Sequence, residues 1–237
     1  MNPVYIKATD FQDAWYQCLY NILEKGKRYS IDEGSFKGTD RLEFDWITIH
    51  ITHPFLEEDG LPIIPTIPSW CSIPPPVDTG YVIEYIRYIM DNTRADNELY
   101  TYGERIWRDS QIKEIIDRYK TKGFRNNQMV IQVAEINDLF LQDPPCLRHI
   151  DTKIQNDRLH FFPYFRSWDL WAGMPANLPA LAILQGYMAD QIGVDCGEFI
   201  CTSKGLHLYE YAINLAEIRC MKDEIKSNHL VFSAENL

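Results

Sequence analysis

Seven prolines between positions 54 and 76 (Pro54, Pro62, Pro65, Pro68, Pro74, Pro75 and Pro76) constrain this chain more than any other stretch. Each fixes φ and lacks the N–H that a ladder or helix interior needs, so the segment cannot be a central strand. It reads as an irregular surface loop, and the segments around it as parts of one domain spanning residues 1–237. With 46% hydrophobic and 13% aromatic residues, a chain of 237 residues can bury one sizeable core.

Hydrophobic spacing supplies the elements around that loop. Phe11, Ala14, Trp15, Cys18, Leu19 and Ile22 form a helical stripe ending near Gly26. Leu42 to Thr52 alternates with a shift of face, which predicts one strand with a bulge. Helices are predicted from Asp78 to Met90, capped by Asp78 or Thr79, and from Ser110 to Tyr119, with a short strand from Met129 to Ala134. Leu147–Lys153 and Leu159–Phe165 read as a strand pair joined at Gln155-Asn156-Asp157. The longest helix is expected from Asn177 to Ile192, then a strand at Phe199–Thr202 and a last helix at Tyr209–Lys222. Strands and helices interspersed in this way predict an α+β fold, a mixed β-sheet with packed helices in a single domain.

A net charge of −11 disfavours nucleic acid as a partner but leaves room for a small anion held by a few arginines. The six cysteines form no C-x-x-C pair and are expected as free thiols, and no finger or zincin spacing suggests a metal. Neither a signal peptide nor a membrane-length apolar run is apparent, so the expected setting is the cytoplasm, with no membrane.

One cysteine differs from the rest. Cys146 follows Pro144-Pro145 at the mouth of a predicted strand, a rigid edge suited to a nucleophile, and Arg166 would favour its thiolate if strand pairing brings it back. Arg166 and Ser167 together suit a phosphate. Asn177 reads either as a helix cap or as a carboxamide matched to the uracil N3–H and O4. His207 and Tyr209, two apart, share a strand face and could grip a ribose hydroxyl. A Cys/His/Asp hydrolase using His149 or His207 is the rival reading, but no protease or amidase signature surrounds Cys146.

The run Pro144-Pro145-Cys146, Phe165-Arg166-Ser167-Trp168-Asp169, Gly173-Met174-Pro175-Ala176-Asn177-Leu178 and Gly205-Leu206-His207-Leu208-Tyr209 resembles the thymidylate synthase family, in its short archaeal-type branch. The resemblance implies a thymidylate-synthase-like fold in which Cys146 adds to C6 of a pyrimidine nucleotide monophosphate. It implies that Tyr102 assists proton removal from C5, and that Glu84 assists proton movement at O4. Arg166 and Ser167 would hold the 5′-phosphate, Asn177 the uracil edge, and His207 with Tyr209 the 3′-hydroxyl. Asp169, with Gly173, would meet the co-substrate, a 5,10-methylenetetrahydrofolate or a modified tetrahydropterin. A homodimer joined sheet to sheet is also implied, with arginines lent across it.

The implied reaction is methylation of dUMP to dTMP, and the neighbouring reaction is 5-hydroxymethylation of dUMP, dCMP or CMP. The chain departs from the family pattern at Leu147 (usually His), at Phe165 (usually Gln) and at Asn126-Asn127 (usually two arginines). Phosphate binding would then rest on Arg125 and one of Arg28, Lys37 or Arg41. The ending Ser233-Ala234-Glu235-Asn236-Leu237 shows no counterpart of the family's closing tail, which leaves folate and modified pterin both open.

Overall fold

Strand β1 (Pro3–Ala8) alternates exposed and buried residues and lies parallel to β4 (Trp46–Ile51), which alternates likewise. They begin a six-stranded mixed sheet in the order β1-β4-β11-β9-β8-β7. The other members are β7 (Val130–Gln132), β8 (Leu147–Gln155), β9 (Arg158–Phe165) and β11 (Asp195–Ser203). The computed structural model describes residues 1–222 except residues 34–35, 56, 59 and 97 and the side chain of Glu58. The ending Ser233–Leu237 therefore lies outside the described residues.

Period-two patterning decides which sheet face is covered. Ile6, Ile49, Phe161, Phe199 and Cys201 are buried, whereas Tyr5, Trp46, His50 and Tyr164 stay exposed or half-buried on the other face. Helix α1 (Phe11–Lys25) buries the six residues of its stripe, including Trp15 and Leu19, and starts where the Asp10 carboxylate accepts the Asp13 N–H at 2.8 Å. The long α5 (Gly173–Ile192) is buried along most of its length, with its exposed positions confined to Tyr187, Asp190 and Gln191 near its end, so it is a core helix. It begins a turn earlier than its apolar spacing indicates, which places Asn177 in the helix interior and removes it from any capping role.

Residues 42–52 do not form one bulged strand. β3 (Asp40–Glu43) and β4 belong to different sheets, and Phe44-Asp45 passes between them. The second sheet has the order β10-β12-β3-β2, with β2 (Lys27–Ser30), β10 (Trp168–Asp169) and β12 (Leu206–Tyr209). Three two-residue links cross from one sheet to the other: Phe44-Asp45 after β3, Arg166-Ser167 after β9 and Lys204-Gly205 after β11. A Cβ on Gly205 would stand 3.2 Å from the Arg166 carbonyl oxygen, so the close approach of two of these links favours glycine.

The proline-dense segment is irregular apart from a two-residue pairing, β5 (Glu57–Glu58) with β6 (Leu61–Pro62), and a single 3₁₀ turn at Ser69–Cys71. Helix α2 (Thr79–Met90) is capped by Asp78, whose carboxylate accepts the Tyr81 N–H at 2.8 Å. The short α3 (Tyr102–Trp107) follows, then α4 (Gln111–Lys122) and, after β12, α6 (Glu210–Cys220). Between β8 and β9, Asn156 and Asp157 have φ of 54° and 55°, the paired left-handed geometry of a tight hairpin turn. Among the described residues no helix is long and apolar enough to cross a membrane.

Candidate active site

The hairpin β8–β9 places Leu147 opposite Phe165, and so returns Arg166 to the side of Cys146. The Arg166 N–H donates to the Cys146 carbonyl at 2.8 Å. Its guanidinium donates to the Pro145 carbonyl (3.1 Å) and to the Pro144 carbonyl, and stands 3.3 Å from Asp143. Two consecutive prolines leave this loop poor in donors but rich in carbonyl oxygens, and a multi-donor fork answers that need. Arg148 adds a donor to the Pro145 carbonyl (3.2 Å) and pairs with Asp138 at 2.9 Å. Asp138, 1% exposed, is also held by Arg105 at 2.7 Å. Two guanidiniums thus brace the loop, and a buried carboxylate braces one of them.

The hydroxyl of Tyr102 accepts the N–H groups of Cys146 and Leu147, both at 3.2 Å. With both lone-pair positions engaged, its own O–H is left to donate outward. Gly103 makes this possible: a Cβ there would collide with the Asp91 carbonyl oxygen, so only glycine lets α3 settle against the end of α2.

Burial pushes the Cys146 thiol above its usual range, against the pull of Arg166; Asp143 raises it further and Arg148 opposes. The resting sulfur is a thiol, and neighbouring cations make its ionisation less costly than burial alone would allow. Next to it, Tyr81, Glu84, Tyr85, Tyr88, Tyr100 and Tyr102 line a cavity of about 440 Å³. The rings meet edge to face or tilted, with centroids 5.6 Å apart for Tyr85–Tyr88 and 5.8 Å for Tyr88–Tyr102. Burial raises Tyr88 to about 12 and lifts Tyr85 and Tyr102 well above the ordinary phenol range, so these hydroxyls are donors at neutral pH.

The second sheet supplies the opposite wall. Register sets Asp169 beside His207, His207 beside Glu43 and Tyr209 beside Arg41. His207 Nδ1 lies 2.9 Å from the Gly205 carbonyl, which can only accept, so Nδ1 carries the proton. Burial, partly offset by that bond, lowers the ring to about 4, leaving it neutral with Nε2 a bare acceptor that has no partner among the described residues. Tyr209 stacks on Phe36 with centroids 4.1 Å apart and meets His207 edge-on at 4.5 Å. Of Arg28, Lys37 and Arg41, only Arg41 stands on this wall, paired with Glu43 at 2.7 Å. Arg28 pairs with Asp40 at 3.5 Å, and Lys37 lies on the exposed turn before β3.

Asp169 accepts the N–H groups of Trp171 (3.0 Å), Ala172 (3.3 Å) and Gly173 (3.1 Å), so it caps α5 while facing the site. Burial raises its carboxyl, and these three donors pull it back. Asn177 faces the same space, with Oδ1 accepting the Trp168 indole N–H at 2.8 Å. Ser167, half-buried, lies on the link between the sheets beside Arg166.

The described structure brings together Cys146, Tyr102, Arg166, Ser167, Asp169, Gly173, Asn177, His207 and Tyr209, with Glu84 on the rim of the tyrosine cavity. Arg125 is not among them. With Asn126 and Asn127 it lines a separate cavity of about 600 Å³ at the β8–β9 turn. That turn lies a full strand length, about 30 Å, from Cys146. His149, the candidate base of the rival hydrolase, stacks on Tyr164 at 5.5 Å. Sequence reasoning missed Arg105, Asp138, Arg148 and the tyrosines around Tyr102. Arg148, two residues beyond the nucleophile, was the one visible signal. Among the described residues no three His, Cys, Asp or Glu side chains gather as a metal site requires.

Comparison with known proteins agrees with this geometry. A family model described as "Thymidylate synthase" matches residues 85–236. A protein of Methanosarcina mazei described as "Putative thymidylate synthase" is 27% identical over 216 residues, covering 90% of this chain and 92% of the relative. One of Methanococcoides burtonii with the same description is 28% identical, covering 87% and 89%. One of Methanopyrus kandleri, again so described, is 25% identical, covering 88% and 94%. A match through the nucleophile loop, the crossing Arg166-Ser167, α5 and the His207 wall means that the chain belongs to the thymidylate synthase family, a family of one-carbon transferases that act on dUMP-type nucleotides with a methylenetetrahydrofolate-type co-substrate.

Proposed function

We propose that the protein is a thymidylate synthase in the strict sense, converting dUMP to dTMP as one catalytic domain, in a cytoplasmic homodimer. The observation that carries this reading is the junction of Tyr102, Cys146 and Arg166. A thiol, a cation that favours its ionised form and an outward O–H donor meet at one loop.

The Cys146 sulfur, once ionised, adds to C6 of the uracil ring, and the C5–C6 π pair moves toward C5 and O4. Arg166 and Ser167 bind the 5′-phosphate, with Arg41, which like Arg166 acts on His207, as a further cation. His207 Nε2 accepts the 3′-hydroxyl proton, and Tyr209 orders the sugar beside it. Asn177 holds O4 and N3–H. Tyr102 donates its free O–H to a water and orients it to take the proton that leaves C5, while Glu84 moves protons on the O4 side. Expulsion of the Cys146 thiolate from C6 completes the cycle.

The tyrosine cavity, with neutral phenol donors and Glu84 as acceptor, suits the planar pyrimidine half of a tetrahydropterin, and Asp169, close enough to Tyr81 to act on its hydroxyl, would meet it together with Gly173. When bound, that co-substrate supplies the one-carbon unit and the hydride, whether it is a folate or a modified pterin. The distance of Arg125 from its own Arg166 suits a homodimer in which such arginines serve the neighbouring site.

Incubation with methylenetetrahydrofolate and dUMP, UMP, dCMP or CMP, with products identified by mass, tests the reading. A methyl group on dUMP supports it. A hydroxymethyl product on any of the four replaces it.

A further inference from the structure

Trp168 is more than part of the core. It is 2% exposed and lies flat on Phe165, with centroids 4.2 Å apart and planes within 2°. Its backbone N–H donates to the Gly205 carbonyl at 2.9 Å, so both ends of the residue are fixed. From that position the indole N–H reaches the Asn177 side chain at 2.8 Å.

An indole nitrogen only donates, so the atom it meets must be the carboxamide oxygen. Turning the amide over would set its NH₂ against the indole N–H, two donors facing each other in a buried space, at the full cost of unsatisfied groups. Asn177 is 9% exposed and inside α5, so it cannot swing out to escape. The amide therefore offers its surroundings one arrangement only: the second lone pair of Oδ1 on one side and the Nδ2 donors on the other.

We infer that Trp168 is the positioning residue for base selection, making the recognition of the pyrimidine edge by Asn177 one-handed. The inference rests on Asn177 being the residue that reads the base. A 4-oxo edge presents an acceptor at position 4 and a donor at N3, and a 4-amino edge presents the reverse. A freely turning carboxamide could satisfy both. An amide pinned by Trp168 satisfies one, and the other must either break the indole bond or leave groups unpaired. Phe165, where the family pattern has Gln, contributes the flat surface that keeps the indole in place.

Binding of dUMP and dCMP, measured by titration calorimetry without co-substrate, tests this directly. The unaltered protein should prefer one nucleotide, dUMP on the proposed function. In Trp168→Phe the preference should shrink by roughly tenfold, the cost of one unsatisfied buried group. The shrinkage should come from a gain in affinity for the disfavoured base, since a merely structural role would weaken both nucleotides alike. If Trp168→Phe does not fold, the same measurement on protein whose Trp168 indole is replaced by isosteric benzothiophene decides the matter.

An unchanged ratio, or equal weakening of both nucleotides, overturns the role of Trp168. Preference for dCMP in the unaltered protein, levelled by the substitution, overturns the choice of dUMP but supports the pinned amide. Binding of neither nucleotide overturns both.

Discussion

A thiol that attacks carbon must first lose its proton, and Cys146 rests with its proton in place because burial outweighs Arg166. Removing the cation while keeping a long side chain, as in Arg166→Met, should move the midpoint of the alkylation-rate profile of Cys146 to higher pH. Iodoacetamide labelling followed by peptide mass measurement reads this, and a midpoint that falls contradicts the assigned role. His207 carries a pH dependence of its own. Its folded value near 4 lies below the usual ~6.5 of an unfolded histidine, so the unfolded chain takes up the proton first and stability falls as the pH drops through that window. Between pH 7 and pH 5 the loss from this group is about 2 kcal/mol. By urea unfolding, the natural chain should lose about 2 kcal/mol more stability than His207→Gln between pH 7 and pH 5. Parallel behaviour would mean that the ring is not held neutral.

At the scale of elements, the nucleophile loop depends on charges that lie outside it. Asp138 sits between Arg105 and Arg148, and Arg148 in turn donates to the Pro145 carbonyl. Asp138→Ala leaves two poorly solvated guanidiniums without their shared carboxylate and should cost about 3 kcal/mol, read as a lower denaturation midpoint. A loss below about 1 kcal/mol would show that Glu135, 3.9 Å from Arg105, compensates. This brace was not legible in the sequence, because an acidic residue in a short 3₁₀ turn looks solvated until tertiary contacts bring Arg105 and Arg148 to it. What the sequence did make legible had a periodic signal, such as the stripe from Phe11 to Ile22 and the alternation of β8 and β9. Helix α3 was missed because six residues are too few to show a period. The division of residues 42–52 between two sheets was missed because alternation marks a strand but not its neighbours.

At the scale of the whole molecule, the open face of the six-stranded sheet is unusual for a surface. Tyr5 is 63% exposed, Trp46 stacks on Tyr164 at 6.1 Å, and His50 joins the Tyr5 hydroxyl (3.2 Å) to Glu198 (2.6 Å). If the homodimer forms through this face, Tyr164→Glu should weaken association by more than roughly tenfold, as the loss of a central aromatic contact does. Sedimentation of the natural and altered chains would show it, and an unaltered dimer would place the contact elsewhere. Cys146 and its returning Arg166 were legible in the sequence because they lie at the ends of adjacent strands. The remoteness of Arg125 was not, because sequence distance says nothing about which end of a strand a residue approaches.

The three two-residue links between the sheets have a kinetic consequence. Arg166-Ser167 lies on a seam that the chain stitches three times, so this part of the site cannot open or close without disturbing both sheets. A nucleotide should find its anchoring wall already assembled, and its capture should be a single fast step limited by encounter. Any slower ordering would then belong to the tyrosine side, where α2 and α3 are not stitched into that seam.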